Sequence, residues 1–206
     1  MTDPEPHDFE VLYRNTAKVP WDTKAPKETV VEWQQSGLVR GDVLDIGCGL
    51  GDNAIYLAQQ GHRVTALDVA PTALITAERR AIDAHVDVRF AVSDATELAG
   101  YTEAFDTVVD SGMYHCLDDA DKARYAAAVH RATRPGARLL LSAFSDANAR
   151  DREWPRPQVS EATLRATLGD AGWEITTLES RTVSLEDLED DEAVFWYVVA
   201  ERGSVR

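Results

Sequence analysis

Short apolar runs alternate along the chain with longer stretches of good helix formers. The run 43–46 ends at glycines, and the helical stretch 52–60 that follows is closed by Gly61, a residue suited to the left-handed end of a helix. The same alternation predicts further strands over 63–67, 86–92, 107–110, 137–144, 173–183 and 193–200, and further helices over 72–84, 120–131 and 160–168. Such alternation is typical of an α/β fold, in which helices cover both faces of a parallel sheet.

The length of the chain fits one domain. A chain of 206 residues with 44% apolar residues can bury a full core without disulfide support, and no internal repeat is visible. Residues 9–36 precede the alternation and contain helix-compatible stretches, in which we expect Trp33 to pack in the core. We therefore expect an N-terminal helical segment over 1–36 and a core domain over 37–206.

The charge and the cysteine content limit which classes of partner and which cellular compartment we expect. The chain carries 21 Lys and Arg against 36 Asp and Glu, a formal net charge of −15, so we expect neither nucleic acid nor an anionic membrane as its partner. The N-terminus lacks a signal-peptide pattern, and the apolar run 193–200 is far shorter than the roughly 18 residues that span a bilayer. Cys48 and Cys116 are too few for a disulfide framework or a structural zinc site, which predicts a cytoplasmic protein without a metal.

The distinctive polar and glycine residues follow the ends of the predicted strands. Gly47, Gly49 and Gly51 follow the first strand, Asp68 ends the second, and Asp94 follows the third. Open parallel sheets bind ligands at the carboxyl ends of their strands, and glycines let the backbone turn tightly and approach a ligand closely. The sequence therefore predicts a ligand site at this edge of the sheet.

The residue at position 52 distinguishes two kinds of nucleotide ligand. Asp68 lies 21 residues after Gly47, a spacing suited to binding ribose hydroxyls. An NAD-binding fingerprint would have glycine at position 52, but Asp52 stands there and would repel a pyrophosphate. An NAD-dependent enzyme is therefore the disfavoured alternative. A nucleoside without phosphates avoids the repulsion, and S-adenosylmethionine fits this description.

The segment 43–51, with Asp68 in register, resembles the first motif of the class I S-adenosylmethionine-dependent methyltransferases, and the likeness covers roughly residues 37–145. A narrower likeness is carried by Trp21, 105–112, Tyr125, 135–136 and 142–145. These segments are similar to the branch that contains thiopurine, tellurite-resistance-like and heterocyclic-toxin methyltransferases. Ser111 departs from the arginine usual in thiopurine enzymes, which argues against a thiopurine substrate.

The resemblance implies a fold and an activity. The fold would be a Rossmann-like, doubly wound, seven-stranded and mostly parallel sheet whose last strand is antiparallel. The activity would be SN2 transfer of a methyl group from S-adenosylmethionine to oxygen, sulfur or nitrogen of a small, aromatic or heterocyclic molecule. A non-catalytic S-adenosylmethionine-binding partner or sensor carries the same first motif, so it stays open as an alternative.

The resemblance also assigns the cofactor site to particular positions. Asp45 and the glycine loop would hold the methionine end of the cofactor, and Asp68 would hold the ribose. Asp94 and Ala95 would bind the adenine, and Asp110 would help to bind the ammonium group. The positions are Tyr13, Arg14, Trp21, Asp45, Gly47, Cys48, Gly49, Asp68, Val69, Asp94, Ala95 and Asp110. Asp94 suits a helix cap as well, and the two roles are compatible.

The N-terminal residues of this set lie where a lid over the cofactor is expected in this branch. The guanidinium of Arg14 could pair with the methionine carboxylate through its bidentate fork, and Trp21 could pack on the sulfonium side. A surface arginine and a core tryptophan are equally open interpretations.

The candidate catalytic residues follow the fourth predicted strand. A general base is useful only where the acceptor carries a proton that must leave. His115 is the first candidate, because histidine as a residue type can exchange a proton near neutral pH, and Tyr114 is the second; a histidine that only hydrogen-bonds a helix start is the alternative. The loop 154–157, with Phe144 and Trp196, could wall an aromatic pocket, and the acidic run 186–192 reads as a solvated loop.

Overall fold

The computed structural model describes residues 9–15, 19, 21–149, 157–184 and 192–203. Its strands are β1 (Asp42–Ile46), β2 (Arg63–Asp68), β3 (Val88–Val92), β4 (Phe105–Ser111), β5 (Thr133–Phe144), β6 (Trp173–Ser184) and β7 (Glu192–Arg202). Its helices are α1 (Phe9–Asn15), α2 (Glu28–Gln35), α3 (Asp52–Gln59), α4 (Pro71–Asp83), α5 (Asp119–Ala132) and α6 (Glu161–Asp170), with short 3₁₀ turns at Tyr114–Cys116 and Asp146–Ala149.

The strands form one seven-stranded sheet in the order β3-β2-β1-β4-β5-β7-β6. The pairs from β3 through β5 are parallel, and β7 runs antiparallel to both β5 and β6. The Rossmann-like, mostly parallel sheet with an antiparallel last strand is therefore confirmed. Strand order reverses between β1 and β4, and sheets of this kind bind ligands at the carboxyl ends of the strands next to such a point.

Both faces of the sheet are buried, because neighbouring residues of β1 face opposite sides. Leu44 and Ile46 belong to a cluster that packs beneath α5 and α6, whereas Val43 belongs to a second cluster that includes Trp33 of α2. Trp33 is fully buried, as predicted, and its ring centroid lies 5.4 Å from that of Tyr197. The second helix of the N-terminal segment is thus part of the core.

Strand β5 begins earlier than predicted, at Thr133 and not at Ala137. Thr133 pairs with Phe105, and the register then shifts before Thr107, so that β5 crosses Pro135 through an irregular pairing. The proline and the following glycine indicated a loop from the sequence. The bulge accommodates them within the strand, because a bulge relieves a residue of its ladder hydrogen bond.

Strand β3 begins two residues later than predicted, at Val88 and not at Val86. The N–H of Val86 donates to the carbonyl of Ala81 at 3.1 Å, so this residue closes the end of α4. The apolar pattern alone does not distinguish a strand residue from a helix-closing residue.

Within the described ranges, no helix combines the length and the apolar character that crossing a membrane requires. Cys48 and Cys116 are free thiols. Residues 154–156 of the predicted aromatic loop and residues 186–191 of the acidic run lie outside the described residues.

Candidate active site

The glycine loop after β1 is folded against the end of β2. The N–H groups of Gly47 and Cys48 donate to the carbonyl of Leu67 at 2.8 and 3.0 Å. Gly47 has a φ of 68°, and a Cβ added there would lie 2.5 Å from Cβ of Met113. Glycine is therefore required at position 47 both by the backbone conformation and by the close approach of the segment after β4.

Asp68 joins this loop to the start of α4. Its Oδ2 accepts the N–H of Gly49 at 2.8 Å and its Oδ1 accepts the N–H of Ala70 at 2.9 Å. Burial raises the pKa of Asp68, and the backbone N–H groups oppose that shift. Each carboxylate oxygen has two lone pairs, so both can still accept a hydroxyl hydrogen, as ribose binding requires.

Asp45 carries a buried oxygen that needs a partner. The side chain is 1% exposed, and among the described residues Oδ2 has no hydrogen-bond partner. Burial raises the pKa of Asp45 to about 7, and the negative charges of Asp110 and Asp68 contribute further. A cation here would relieve both the desolvation and the repulsion, so the site fits the ammonium and sulfonium of S-adenosylmethionine.

These shifts predict a pH dependence. The native carboxyl of Asp45 keeps its proton up to about pH 7, while the unfolded one loses it near the ordinary value of 3.8, so stability without ligand falls as pH rises across that window. A cationic ligand favours the ionised form. We expect calorimetric affinity for S-adenosylhomocysteine, which keeps the ammonium, to weaken by about tenfold from about pH 8 to about pH 6. Asp45→Asn should remove that dependence, and equal affinities in the wild type would contradict this assignment.

Asp110 is fully buried and accepts hydrogen bonds from residues around it. Its Oδ1 accepts the N–H groups of Met113 and Tyr114 at 2.9 and 3.2 Å, and its Oδ2 accepts the hydroxyl of Tyr125 at 2.9 Å. Burial raises the pKa of Asp110 to about 6, and these hydrogen bonds oppose the shift. In the described structure, its carboxylate organises the turn after β4, a role that the sequence did not predict.

The predicted adenine end lies at the carboxyl ends of β2 and β3. The N–H of Ser93 donates to the carbonyl of Asp68 at 3.0 Å, which brings the segment after β3 beside the ribose position. Asp94 is exposed, and its Oδ1 accepts both the N–H and the hydroxyl of Thr96 at 2.7 Å. The side chain therefore caps a turn. Val69 is 57% exposed, and Ala95 is half-buried against the core.

The N-terminal aromatic residues lie over the glycine loop. A Cβ added to Gly49 would lie 2.9 Å from the hydroxyl oxygen of Tyr13, and the indole N–H of Trp21 donates to that hydroxyl at 2.8 Å. Arg14 is directed elsewhere, because its Nε lies 2.6 Å from the carboxylate of Glu10 and its side chain is 66% exposed. The structure thus brings Tyr13 and Trp21 to the site and pairs Arg14 within α1.

An arginine that the sequence did not single out ties this region together. Arg80 on α4 binds both carboxylate oxygens of Asp52 through Nη1, at 2.9 and 3.1 Å, and binds Asp22 through Nη2 at 2.9 Å. Asp52, the residue that argued against a pyrophosphate, is thus half of an ion pair at the start of α3. A local sequence pattern does not predict contacts between residues that are this far apart along the chain.

Aromatic side chains gather at the carboxyl ends of β4 and β5, the predicted acceptor side of the site. The ring of His115 lies 4.8 Å from that of Phe144, which in turn lies 4.4 Å from that of Phe195 on β7. His115 is 7% exposed, and its Nδ1 accepts the N–H of Phe144 at 3.3 Å. The neutral ring therefore carries its proton on Nε2.

Tyr114, the second predicted base, is not brought to the acceptor side. Its side chain is fully buried, its ring lies 5.4 Å from that of Tyr125, and its hydroxyl is hydrogen-bonded to Thr167 on α6. Burial raises the pKa of Tyr114 to about 12. The 3₁₀ turn sends neighbouring side chains in different directions, so adjacency to His115 in sequence did not predict adjacency in space.

Cys116, and Trp196 of the predicted aromatic pocket, both make contacts within the fold. Burial raises the pKa of the Cys116 thiol to about 12, and its Sγ contacts the carbonyl of Gly112 at 3.7 Å. The indole N–H of Trp196 donates to the carbonyl of Val159 at 2.7 Å, and its ring packs against the core. Trp196 thus holds the segment before α6.

The fold and the site are those of an α/β protein suited to binding a cationic, phosphate-free nucleoside where the strand order of its sheet reverses. A family model described as a methyltransferase domain matches residues 43–136. The 2-heptyl-1-hydroxyquinolin-4(1H)-one methyltransferase of Mycobacteroides abscessus is 36% identical over 165 residues, which cover 76% of this chain and 72% of that protein. The chain belongs to the class I S-adenosylmethionine-dependent methyltransferases that act on small molecules, and S-adenosylmethionine is its cofactor.

Solved structures agree with this fold. One described as "Conversion of a Disulfide Bond into a Thioacetal Group during Echinomycin Biosynthesis" has a TM-score of 0.84 and 32% identity, covering 95% of this chain and 91% of that one. The 1,6-didemethyltoxoflavin-N1-methyltransferase of Burkholderia thailandensis has a TM-score of 0.72 and 24% identity, covering 96% and 86% of the two chains. The second likeness shows a shared fold.

Proposed function

We propose that this methyltransferase transfers the methyl group by SN2 displacement to oxygen, sulfur or nitrogen of a small aromatic or heterocyclic molecule. The observation that carries the acceptor class is the row of rings formed by His115, Phe144 and Phe195 near the carboxyl ends of β4 and β5. Aromatic rings stack on one another at such separations, so this wall suits a flat acceptor. The quinolone methyltransferase of Mycobacteroides abscessus, by its name, acts on a compound of this kind.

The cofactor residues divide by the part of the ligand that each would hold. In the proposed arrangement, Asp45 and the backbone of Gly47 and Gly49 face the methionine end, and Asp68 accepts the ribose hydroxyls. Val69, Asp94 and Ala95 line the adenine end, Cys48 supports the loop, and Asp110 keeps the turn after β4 in place and adds negative charge. The orphaned Oδ2 of Asp45 supports a cationic group at the first position.

The chain's own contribution is alignment and exclusion of water. Bound S-adenosylmethionine supplies a methyl group on a sulfonium, which a nucleophilic heteroatom can displace. The protein holds the acceptor in line and keeps solvent from the reacting atoms, effects that account for a large part of the barrier in such transfers. We also propose that the protein works in the cytoplasm, because its two cysteines are free thiols and thiols are kept reduced there.

A lid over the cofactor is part of the proposal, with a smaller extent than residues 1–36. Tyr13 and Trp21 lie over Gly49, which supports α1 and the following turn as the lid. The second helix, α2, buries Val30 and Trp33 in the core and so belongs with residues 37–206. Arg14 would reach the methionine carboxylate only after leaving Glu10.

His115 is the residue proposed to handle the acceptor's proton. Its Nδ1 accepts a hydrogen bond from the N–H of Phe144, so acting as a base requires that bond to be given up. The Nε2–H can instead donate a hydrogen bond to a methyl acceptor that is already ionised.

We expect His115→Ala to lower turnover of a protonated methyl acceptor by about 100-fold, with the dissociation constant of S-adenosylhomocysteine unchanged. His115→Asn retains an acceptor for the Phe144 N–H. A base role predicts that Asn is as slow as Ala, and turnover of the Ala variant at the wild-type rate would contradict any role in the reaction.

The proposed function is tested by incubating the protein with methyl-labelled S-adenosylmethionine and a panel of acceptors. The panel contains hydroxyquinolones, heteroaromatic thiols and ring nitrogens, with aliphatic alcohols as controls. We expect label in at least one aromatic class and none in the controls. Binding of S-adenosylhomocysteine combined with silence across the panel would support a non-catalytic binding protein instead.

A further inference from the structure

Helix α1 is attached to the rest of the protein almost without burial. It has seven residues, and none of them is buried. A helix of this length is not stable in isolation, so its position depends on the contacts it makes. Two of the contacts that the structure describes are made by Glu10 and by Tyr13.

The first contact is made by Glu10 at the start of α4. Its Oε2 accepts the N–H of Thr72 at 3.0 Å, and its Oε1 accepts the hydroxyl of Thr72 at 2.7 Å. Helix α4 has no cap of its own, because Ala70 at the capping position makes no side-chain bond and Pro71 follows it. Glu10 thus supplies, from a different helix, the acceptor that the first turn of α4 lacks.

The second contact lies three residues further along α1. Tyr13 places its hydroxyl over Gly49 and accepts the indole N–H of Trp21, and the rings of Phe9 and Tyr13 both lie edge-on to Trp21 at 6.1 Å. Residues three and four apart share one face of a helix. The Glu10 contact therefore fixes how closely Tyr13 approaches the glycine loop.

The base on which α1 rests is itself held firmly. Trp21 is followed by Asp22, which binds Arg80, and the carbonyl of Trp21 accepts from the amino group of Lys27 at 3.2 Å. Glu10 and Arg14, in contrast, form a solvent-accessible pair, the kind that water competes for and that opens readily. The Glu10–Thr72 contact consists of two hydrogen bonds to one residue, so α1 can leave α4 while Trp21 stays in place.

We infer that Glu10 is a positioning residue that latches α1 to the N-terminus of α4 and so holds Tyr13 over the bound cofactor. Release of the Glu10–Thr72 contact frees α1, which lets the spent cofactor leave and a new one enter. The inference rests on the proposed function in one respect, that the cofactor lies beneath Tyr13. Glu10 lies outside the proposed cofactor-binding residues, but it controls how fast the cofactor exchanges.

The test measures the dissociation rate and the calorimetric dissociation constant of S-adenosylhomocysteine for Glu10→Ala. We expect both to rise by about tenfold, equivalent to about 1.4 kcal/mol. The KM for S-adenosylmethionine should rise with them, whereas kcat at saturating cofactor should not fall. Glu10→Gln retains an oxygen for the Thr72 N–H and an amide that can meet the hydroxyl, so it should restore most of the wild-type dissociation rate.

A matched control and a second variant keep the outcome interpretable. Glu161→Ala removes a similar exposed pair, with Arg165 on α6 at 2.8 Å, and should leave dissociation unchanged. Thr72→Val removes the hydroxyl and keeps the N–H, and it should accelerate dissociation less than Glu10→Ala does. Wild-type rates in both Glu10→Ala and Thr72→Val would overturn the latch. Failure of the wild type to bind S-adenosylhomocysteine would instead overturn the cofactor site on which the latch rests.

Discussion

Asp68→Ala is expected to weaken binding of S-adenosylhomocysteine by at least about 100-fold in calorimetry. The variant loses two proposed hydrogen bonds from ribose hydroxyls to a charged group, each worth about 1.5–3 kcal/mol. It also loses the bond that fixes Gly49 at 2.8 Å, so the loop beneath the cofactor relaxes. Both losses act on the same ligand, so both lower the affinity for the cofactor.

Two control variants show whether cofactor binding depends on the charge of the carboxylate or on its position in the sheet. Asp68→Asn keeps one carbonyl oxygen and should bind more tightly than the Ala variant but less tightly than the wild type. Asp87→Ala removes an exposed carboxylate just before β3, at the amino end of the sheet, and should bind normally. Wild-type affinity in Asp68→Ala would contradict the assignment of the ribose to this residue.

Gly47→Ala is expected to lower the free energy of unfolding by about 3 kcal/mol and to abolish detectable cofactor binding. The new Cβ would lie 2.5 Å from both Cβ and Cγ of Met113, and the φ of 68° is itself costly for alanine. Met113 cannot retreat freely, because its N–H is bound to the buried carboxylate of Asp110. Denaturant unfolding measures the stability and calorimetry the binding.

Gly61→Ala is the matched control for this clash. Gly61 also has a positive φ, 91°, but a Cβ there meets nothing within 4 Å. We expect a cost of only about 1 kcal/mol from the backbone conformation, with cofactor binding intact. Equal effects of the two substitutions would show that backbone strain alone, and not the approach of Met113, explains the requirement at position 47.

The parts of the site that the sequence predicted are those encoded in short segments. Gly47, Gly49 and Asp68 follow directly on strands, and their relation is set by the pairing of β1 with β2. A glycine loop after a buried strand and an acid at the end of the next have few other arrangements in a parallel sheet. The class of fold could therefore be predicted from the motif and from the alternation of strands and helices, and the ligand edge stays a prediction.

The parts that the sequence did not predict depend on partners far along the chain. The direction of Tyr114 is set by Thr167, which lies 53 residues away, and the bonding of Asp110 includes Tyr125. The pairing of Asp52 with Arg80 spans 28 residues. Hydrophobic periodicity carries no information on such polar pairs, because it reports only which face of an element is buried.

The segment before the first strand likewise combines features that the sequence predicted with features that it did not. Its aromatic residues could be singled out, but their apolar character alone did not distinguish Trp33, which is fully buried in the core, from Trp21, which is half-exposed over the glycine loop. The difference arises because α2 packs on the sheet, whereas the turn at Trp21 rests on the Arg80 ion pairs.

A crystal structure of the complex with S-adenosylhomocysteine tests the central claim most directly. The account predicts ribose hydroxyls within hydrogen-bonding distance, about 3 Å, of the Asp68 carboxylate, and the ligand's ammonium next to Asp45. It also predicts Tyr13 over the ligand, and the sulfur directed toward His115 and Phe144. A ligand bound away from the carboxyl ends of β1 and β2, or a ribose without contact to Asp68, would contradict it.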